Sequence, residues 1–251
     1  LILETGHPVR HFDRIDSTNQ EARRLAGDGE PGPLWLWADE QTVGRGRLGR
    51  SWVSEPGNLY ATFLFAIAEG PQAAAQVSFV AALAVHDTAL AFRPELSPRI
   101  KWPNDVLIGG AKFCGVLPEV VASHPTRIAI GCGVNIAHAP EGTPYPVTAL
   151  GGGLQVEAVL RELDRNLSFR LAQWEEGRGF GLIRAEWARR ALGLGGEVTA
   201  SAGTQDLTGV FKGLAADGAL ILETADGAQH AIHAGEVKFA ELEALRRKTQ
   251  Q

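Results

Sequence analysis

The spacing of hydrophobic residues divides the chain into a long stretch of mixed strands and helices and a shorter stretch of steady alternation. Pro8–Ile15 reads as a strand. Asp16-Ser17-Thr18-Asn19 follows with side chains that cap helices, and Thr18 and Glu21 stand at capping-box spacing ahead of a helix over Gln20–Ala26. Leu34–Ala38 is a short, Trp-rich apolar run of the kind that forms a buried strand. After a turn at Glu55-Pro56-Gly57-Asn58, Leu59–Ile67 reads as another strand, and Ala73–Phe92 has the apolar spacing of one core-facing helix free of Gly and Pro. Strand patterns then follow in succession over Arg99–Trp102, Val106–Ile108, Lys112–Val121 and Arg127–Ile136, with a Gly109-Gly110 turn between the second and third. Ala139–Gly153, rich in proline and glycine, predicts a long loop, and Leu154–Glu176 and Leu182–Leu192 predict two helices. From Gly196 the alternation is broken only by Asp217-Gly218 and Asp226-Gly227, which are hairpin signals, so a small antiparallel β region is expected over roughly 196–240.

The predicted class is therefore α/β of the α+β kind: a mixed-sheet domain with flanking helices over 1–194, a small β domain over 195–240, and a charged tail over 241–251. A chain of 251 residues with 45% hydrophobic content is long enough for one large and one small core. No apolar run approaches the length of a bilayer span, and residues 1–15 lack the pattern of a secretory signal, so the expected location is cytoplasmic with no membrane partner. Cys114 and Cys132 lie in strand-like runs and read as buried thiols. A net charge of −5 argues against a dedicated nucleic-acid binder and makes local positive charge informative.

That positive charge gathers in two places. Gly44-Arg45-Gly46-Arg47-Leu48-Gly49 satisfies a dinucleotide-binding glycine pattern, but it runs into Ser51-Trp52-Val53-Ser54-Glu55-Pro56-Gly57, which cannot start the helix such a site needs. Arg45, Arg47 and Arg50 among permissive glycines instead suit a loop that wraps an anion. In Lys101-Trp102-Pro103-Asn104-Asp105 a lysine ends a strand, where an ammonium can neutralise charge as a carboxylate attacks a phosphate. No His/Cys/Asp/Glu cluster in the sequence marks a metal cage, so no metal ligands are expected.

These motifs, together with Gln41-Thr42, Trp52, Lys112-x-x-Gly115 and Gly131-x-Gly133-x-Asn135-Ile136 in the same order, resemble those of the biotin protein ligases from residue 11 to about 240. The resemblance implies a catalytic α/β domain followed by an SH3-like domain, and an ATP-dependent reaction through biotinyl-5'-AMP. By that likeness Ser17, Thr18 and Asn19 would line the biotin pocket with Gln41 on the ureido ring, and Arg45, Gly46 and Arg47 would close over biotin and the adenylate. Lys101 and Arg47 would be catalytic, Lys101 touching both the activated carboxyl and the α-phosphate. Arg50, Trp52, Asn104, Lys112 and Asn135 would join Arg45, Arg47 and Lys101 around ATP. ATP and biotin are then substrates, Mg2+ travels with ATP, and the acceptor is a biotin carboxyl carrier domain, with a homodimer through an exposed sheet edge also in keeping. Because Asp16 comes so early, the form without an N-terminal DNA-binding domain, and no DNA partner, is expected. A lipoate-ligase-like activity would call for an Arg-rich triple-glycine segment followed by histidine, which is not present; a non-enzymatic biotin-sensing regulator is the other alternative.

Overall fold

A computed structural model describes residues 1–202, 205–240 and 242. The larger sheet is built from β1 (Val9–Ile15), β2 (Leu34–Gln41), β3 (Leu59–Ile67), β4 (Arg99–Lys101), β5 (Asp105–Ile108), β6 (Ala111–Ser123) and β7 (Thr126–Val134). Its order is β1-β2-β3-β7-β6-β5-β4, parallel between β1 and β2 and antiparallel elsewhere. One face is covered by α1 (Thr18–Gly27), whose Ala22 and Ala26 pack on Leu34, Leu36, Leu64 and Ala129. The other face carries α3 (Val77–Phe92), preceded by the short α2 (Pro71–Ala74), with α4 (Val156–Trp174) and α5 (Phe180–Arg190). Since α3 is apolar nearly all round, it is buried between sheet and helices rather than amphipathic. The small sheet comprises β8 (Glu197–Ala202), β9 (Gln205–Leu214), β10 (Leu220–Glu223), β11 (Gln229–Ile232) and β12 (Val237–Phe239), in the order β11-β10-β9-β8-β12. Both Asp-Gly pairs turn its hairpins. Of the tail, only Leu242 past residue 240 lies within the described residues, and it is buried.

Two local expectations fail for physical reasons. The helix over Ala73–Phe92 is interrupted at Ala75–Gln76, where the backbone bonds tighten to three-residue turns, Gln76 N–H donating to Ala73 and Phe79 N–H to Gln76, and the Gln76 side chain accepts the Trp174 indole N–H at 2.7 Å. The capping box is not formed either. Ser17 is the N-cap and makes no side-chain cap bond, and the Thr18 hydroxyl bonds Gln41 instead. The loop over 139–153 is as expected but is fastened to the strands it crosses, Lys112 N–H donating to Pro146, Thr148 N–H to Lys112 and Leu150 N–H to Asn135.

Behind the sheet, Arg170 donates two bonds to Asp87, at 2.9 and 2.5 Å. Burial pushes the Asp87 carboxyl up, but hydrogen bonds from His86 and Arg170 outweigh it, and the net shift is downward. Arg170→Ala removes two charge-assisted bonds from this half-buried carboxylate, which keeps His86 at 3.1 Å and Arg190 at 3.6 Å, and is expected to cost about 1–3 kcal/mol in denaturant unfolding. The same downward shift means that the pair's stabilisation is complete above the unfolded carboxylate value of about 3.9 and fades as pH falls through the lower native value.

Candidate active site

The end of β1 and the start of α1 place Ser17, Thr18 and Asn19 side by side, all buried. Asp16 holds the turn: its carboxylate accepts two bonds from Arg24 and one from Ser17 N–H, and the Arg24 guanidinium brings its pKa down to about 2. Gln41, ending the neighbouring β2, accepts from Thr18 N–H at 2.9 Å and from its hydroxyl at 3.2 Å, and its amide donates to Ser54 at 3.0 Å. Asn19 is pinned as firmly. Its amide nitrogen donates to Glu119 at 2.7 Å and to the Leu117 carbonyl at 3.2 Å, and the Thr62 hydroxyl lies 2.6 Å from its oxygen. Gly131 on β7 faces it, so close that a Cβ there would overlap the Asn19 side-chain oxygen.

One step along the same face, the Trp52 ring lies in a seat made by two glycines paired across β6 and β7. A Cβ on Gly133 would come within 2.5 Å of the ring and one on Gly115 within 3.1 Å. The Trp52 indole nitrogen is buried and has no partner among the described residues. The Lys112 ammonium sits between aromatic rings, 5.2 Å from the centre of Trp52 and 5.5 Å from that of Tyr145, with Asp105 at 2.8 Å.

The Gly/Arg segment is a hairpin-like loop. Trp52 N–H donates to Gly44, Gly46 N–H donates to Arg50, and Arg47–Gly49 forms a 3-10 turn. At its tip Leu48 is left-handed (φ 57°) and three-quarters exposed. Arg47 turns inward to donate to Asn104 at 3.0 Å, and burial lowers its pKa. Arg50 pairs with Glu236, in the turn before β12, so the loop bridges from the large sheet to the small one. Lys101, at the end of β4, holds its ammonium 5.8 Å from the Phe239 ring of β12.

All these groups line one cavity of about 530 Å3, within the range of small-molecule sites. Ser17, Thr18, Asn19, Gln41, Arg45, Gly46, Arg47, Arg50, Trp52, Lys101, Asn104 and Lys112 are all in its wall. Asn135 is not. Its side chain donates to the Thr148 carbonyl and its backbone carbonyl accepts from Leu150, which ties the long loop to the end of β7. Trp102 touches the cavity but is 3% exposed and donates to the Gly218 carbonyl, so it chiefly fastens the two sheets together. Sequence reasoning missed Tyr145, Asp105, Glu236, Lys238 and Phe239, which complete the wall. Tyr145 carried a signal, as an aromatic residue between two prolines in a long loop. The wall bears six cationic side chains against two acidic ones, and both acids, Asp105 and Glu236, are already paired with a wall cation. The cavity is thus strongly positive in a chain of net charge −5. Cys132 also reaches it, with burial raising its thiol to about 12, far from a nucleophile's value.

A family model described as "Biotin/lipoate A/B protein ligase family" matches residues 11–135, and one described as "Biotin protein ligase C terminal domain" matches 193–239. The biotin--[acetyl-CoA-carboxylase] ligase of Paracoccus denitrificans is 42% identical over 238 residues, covering 90% of this chain and 98% of that protein. The chain belongs to the biotin protein ligase family. The counterpart in Mycobacterium tuberculosis is 32% identical over 94% of this ligase and 91% of its own length. In three dimensions the biotin protein ligase of Aquifex aeolicus, solved in complex with biotin and ATP, superposes with a TM-score of 0.79 at 29% identity, covering 93% of this chain and 99% of that one. No helix among the described residues of this ligase is long and apolar enough to cross a membrane.

Proposed function

We propose that this ligase joins biotin to AMP in the 530 Å3 cavity and then passes biotin to a lysine of a biotin carboxyl carrier domain, working in the cytoplasm where ATP and such carriers meet. The observation that carries the reading is the polarity of the cavity: a neutral, hydrogen-bonding end at Ser17-Thr18-Asn19 and Gln41 runs directly into a cluster of six cations. The neutral end suits a ureido head, whose donors and acceptors match short hydroxyl and amide groups, and the Trp52 face offers an apolar wall to the thiophane ring. The cationic end suits a triphosphate, with Tyr145 beside it as aromatic surface for adenine.

In the first step a biotin carboxylate oxygen attacks the α-phosphorus and pyrophosphate leaves. Two anions approach, so a preorganised ammonium between them lowers the barrier. Sheet register supports Lys112 for that place. Gly133 pairs with Gly115, Gly115 with Asp105, and Asp105 with Lys101, which sets the Lys101 backbone three strand spacings from Gly133, roughly 14 Å. The Lys112 ammonium, by contrast, comes within 3.1 Å of where a Cβ of Gly115 would be, one strand from the Asn19 end. Lys101 then serves the more distant phosphates. In the second step the acceptor amine, having lost its proton, attacks the acyl carbon and AMP leaves. Mg2+ arrives with the nucleotide, since both cavity carboxylates are committed to basic partners.

The direct test mixes the protein with biotin, MgATP and a carrier domain and weighs the carrier. A biotin-sized mass gain that needs both biotin and ATP is the expected result; a gain with lipoate in place of biotin would shift the substrate class. Arg47 bears on retention of the adenylate. Arg47→Gly removes a charged donor from the cavity mouth and should speed release of preformed biotinyl-5'-AMP by roughly tenfold or more, with bystander proteins labelled as a result. An unchanged off-rate would show that Arg47 does not help to hold the adenylate.

A further inference from the structure

No metal cluster is legible in the sequence, yet the fold brings three possible ligands together away from the cavity. On the outer edge of the large sheet β1 and β2 run parallel, His11 opposite Trp37, Phe12 opposite Ala38 and Arg14 opposite Glu40, which sets Asp13 beside Asp39. His11 and Asp13 are two residues apart on one strand and project to the same face. One ligand atom from each of His11, Asp13 and Asp39 lies within 4.8 Å of the others. The imidazole is held in place: its ring rests on Trp37 at 4.1 Å between centroids, and Nε2 points at the Asp39 carboxylate, 2.9 Å away. The local arginines are engaged elsewhere, Arg10 with Glu30 and Arg14 with Glu40, and no cation among the described residues pairs with Asp13. Two carboxylates and an oriented imidazole thus converge on one point with little positive charge to balance them.

We propose that His11, Asp13 and Asp39 form a site for a single divalent transition-metal ion, with Zn2+ as its representative. One imidazole nitrogen and two carboxylate oxygens, completed by water, make a familiar donor set for zinc, whereas Mg2+ takes oxygen ligands and keeps its waters. A dication also relieves the repulsion between the two carboxylates. The place has a consequence for the ligase. Four residues beyond Asp13 the chain reaches Ser17, and two beyond Asp39 it reaches Gln41, so the ion ties β1 to β2 just below the Thr18–Gln41 hydrogen bond. It would act as a brace on the neutral end of the cavity and take no part in the chemistry.

The test titrates metal-stripped full-length protein with ZnCl2 by calorimetry in excess Mg2+, and follows thermal unfolding in the same samples. One saturable equivalent and a higher unfolding midpoint are expected. His11→Ala and Asp13→Asn should each weaken binding by at least about tenfold and abolish the midpoint rise. All three side chains lie at the strand surface, so circular dichroism should show both variants folded, and their biotinylation rate with saturating biotin and MgATP should match the parent. Absence of saturable binding in the parent, or undiminished binding in both folded variants, overturns the proposal. Neither result would touch the assignment of the cavity.

Discussion

Lys112→Gln is expected to slow formation of biotinyl-5'-AMP by about 10²–10³ while leaving biotin binding within a few-fold of the parent. Glutamine is one atom shorter but its amide can still donate to Asp105, so the cradle of Trp52, Tyr145 and Gly115 should persist without the charge. What disappears is the positive charge one strand from Asn19, where the carboxylate and the α-phosphate meet in the proposed reaction. Lys101→Gln should also slow the step, but less, because that lysine stands beside Phe239 on the far wall. Single-turnover adenylation with radiolabelled ATP separates the two. A larger loss in the Lys101 variant would exchange the roles, and normal rates in both would remove lysine from the step altogether.

Gly131→Val should be nearly as damaging, and at the opposite end of the cavity. Any Cβ at 131 meets the Asn19 side-chain oxygen, and Asn19 cannot swing away without breaking its bonds to Glu119, Leu117 and Thr62. Of those partners Thr62 is fully buried, and such a group costs about 1–3 kcal/mol when left unpaired. The variant should therefore bind biotin at least roughly 10²-fold more weakly by calorimetry, with adenylation restored only in part by saturating biotin. A dissociation constant within threefold of the parent would show that Asn19 and Gly131 do not shape the biotin end.

These expectations show what could be read from the chain and what could not. The Gly/Arg loop, Lys101 and the Ser17-Thr18-Asn19 turn were legible because each is a local arrangement whose chemistry follows from neighbours in sequence. Thr18 was read as a cap for an equally local reason, and the structure redirects it to Gln41, 23 residues away. Asn135 was drawn into the nucleotide site by its motif, but the long loop claims its side chain. Pairings between distant strands were out of reach. The placing of Thr62 beside Gly131 under Asn19 depends on β3 lying next to β7, far along the chain, and the convergence of His11 and Asp13 with Asp39 depends on a parallel pairing that no hairpin turn announces. The small β region was the opposite case, since two Asp-Gly turns wrote its hairpins into adjacent residues.

The Arg50–Glu236 pair and the Phe239 ring beside Lys101 have a bearing on how the enzyme comes into being. Synthesis completes the large sheet at Val134, but the opposite wall of the cavity waits for β12, about a hundred residues later. At ordinary ribosomal speeds that gap is on the order of ten seconds, during which that side of the cavity has no wall. The half-made protein has Arg47 but lacks the partner of Arg50 and the ring beside Lys101, so the cavity gains its last wall only when the final strand is in place.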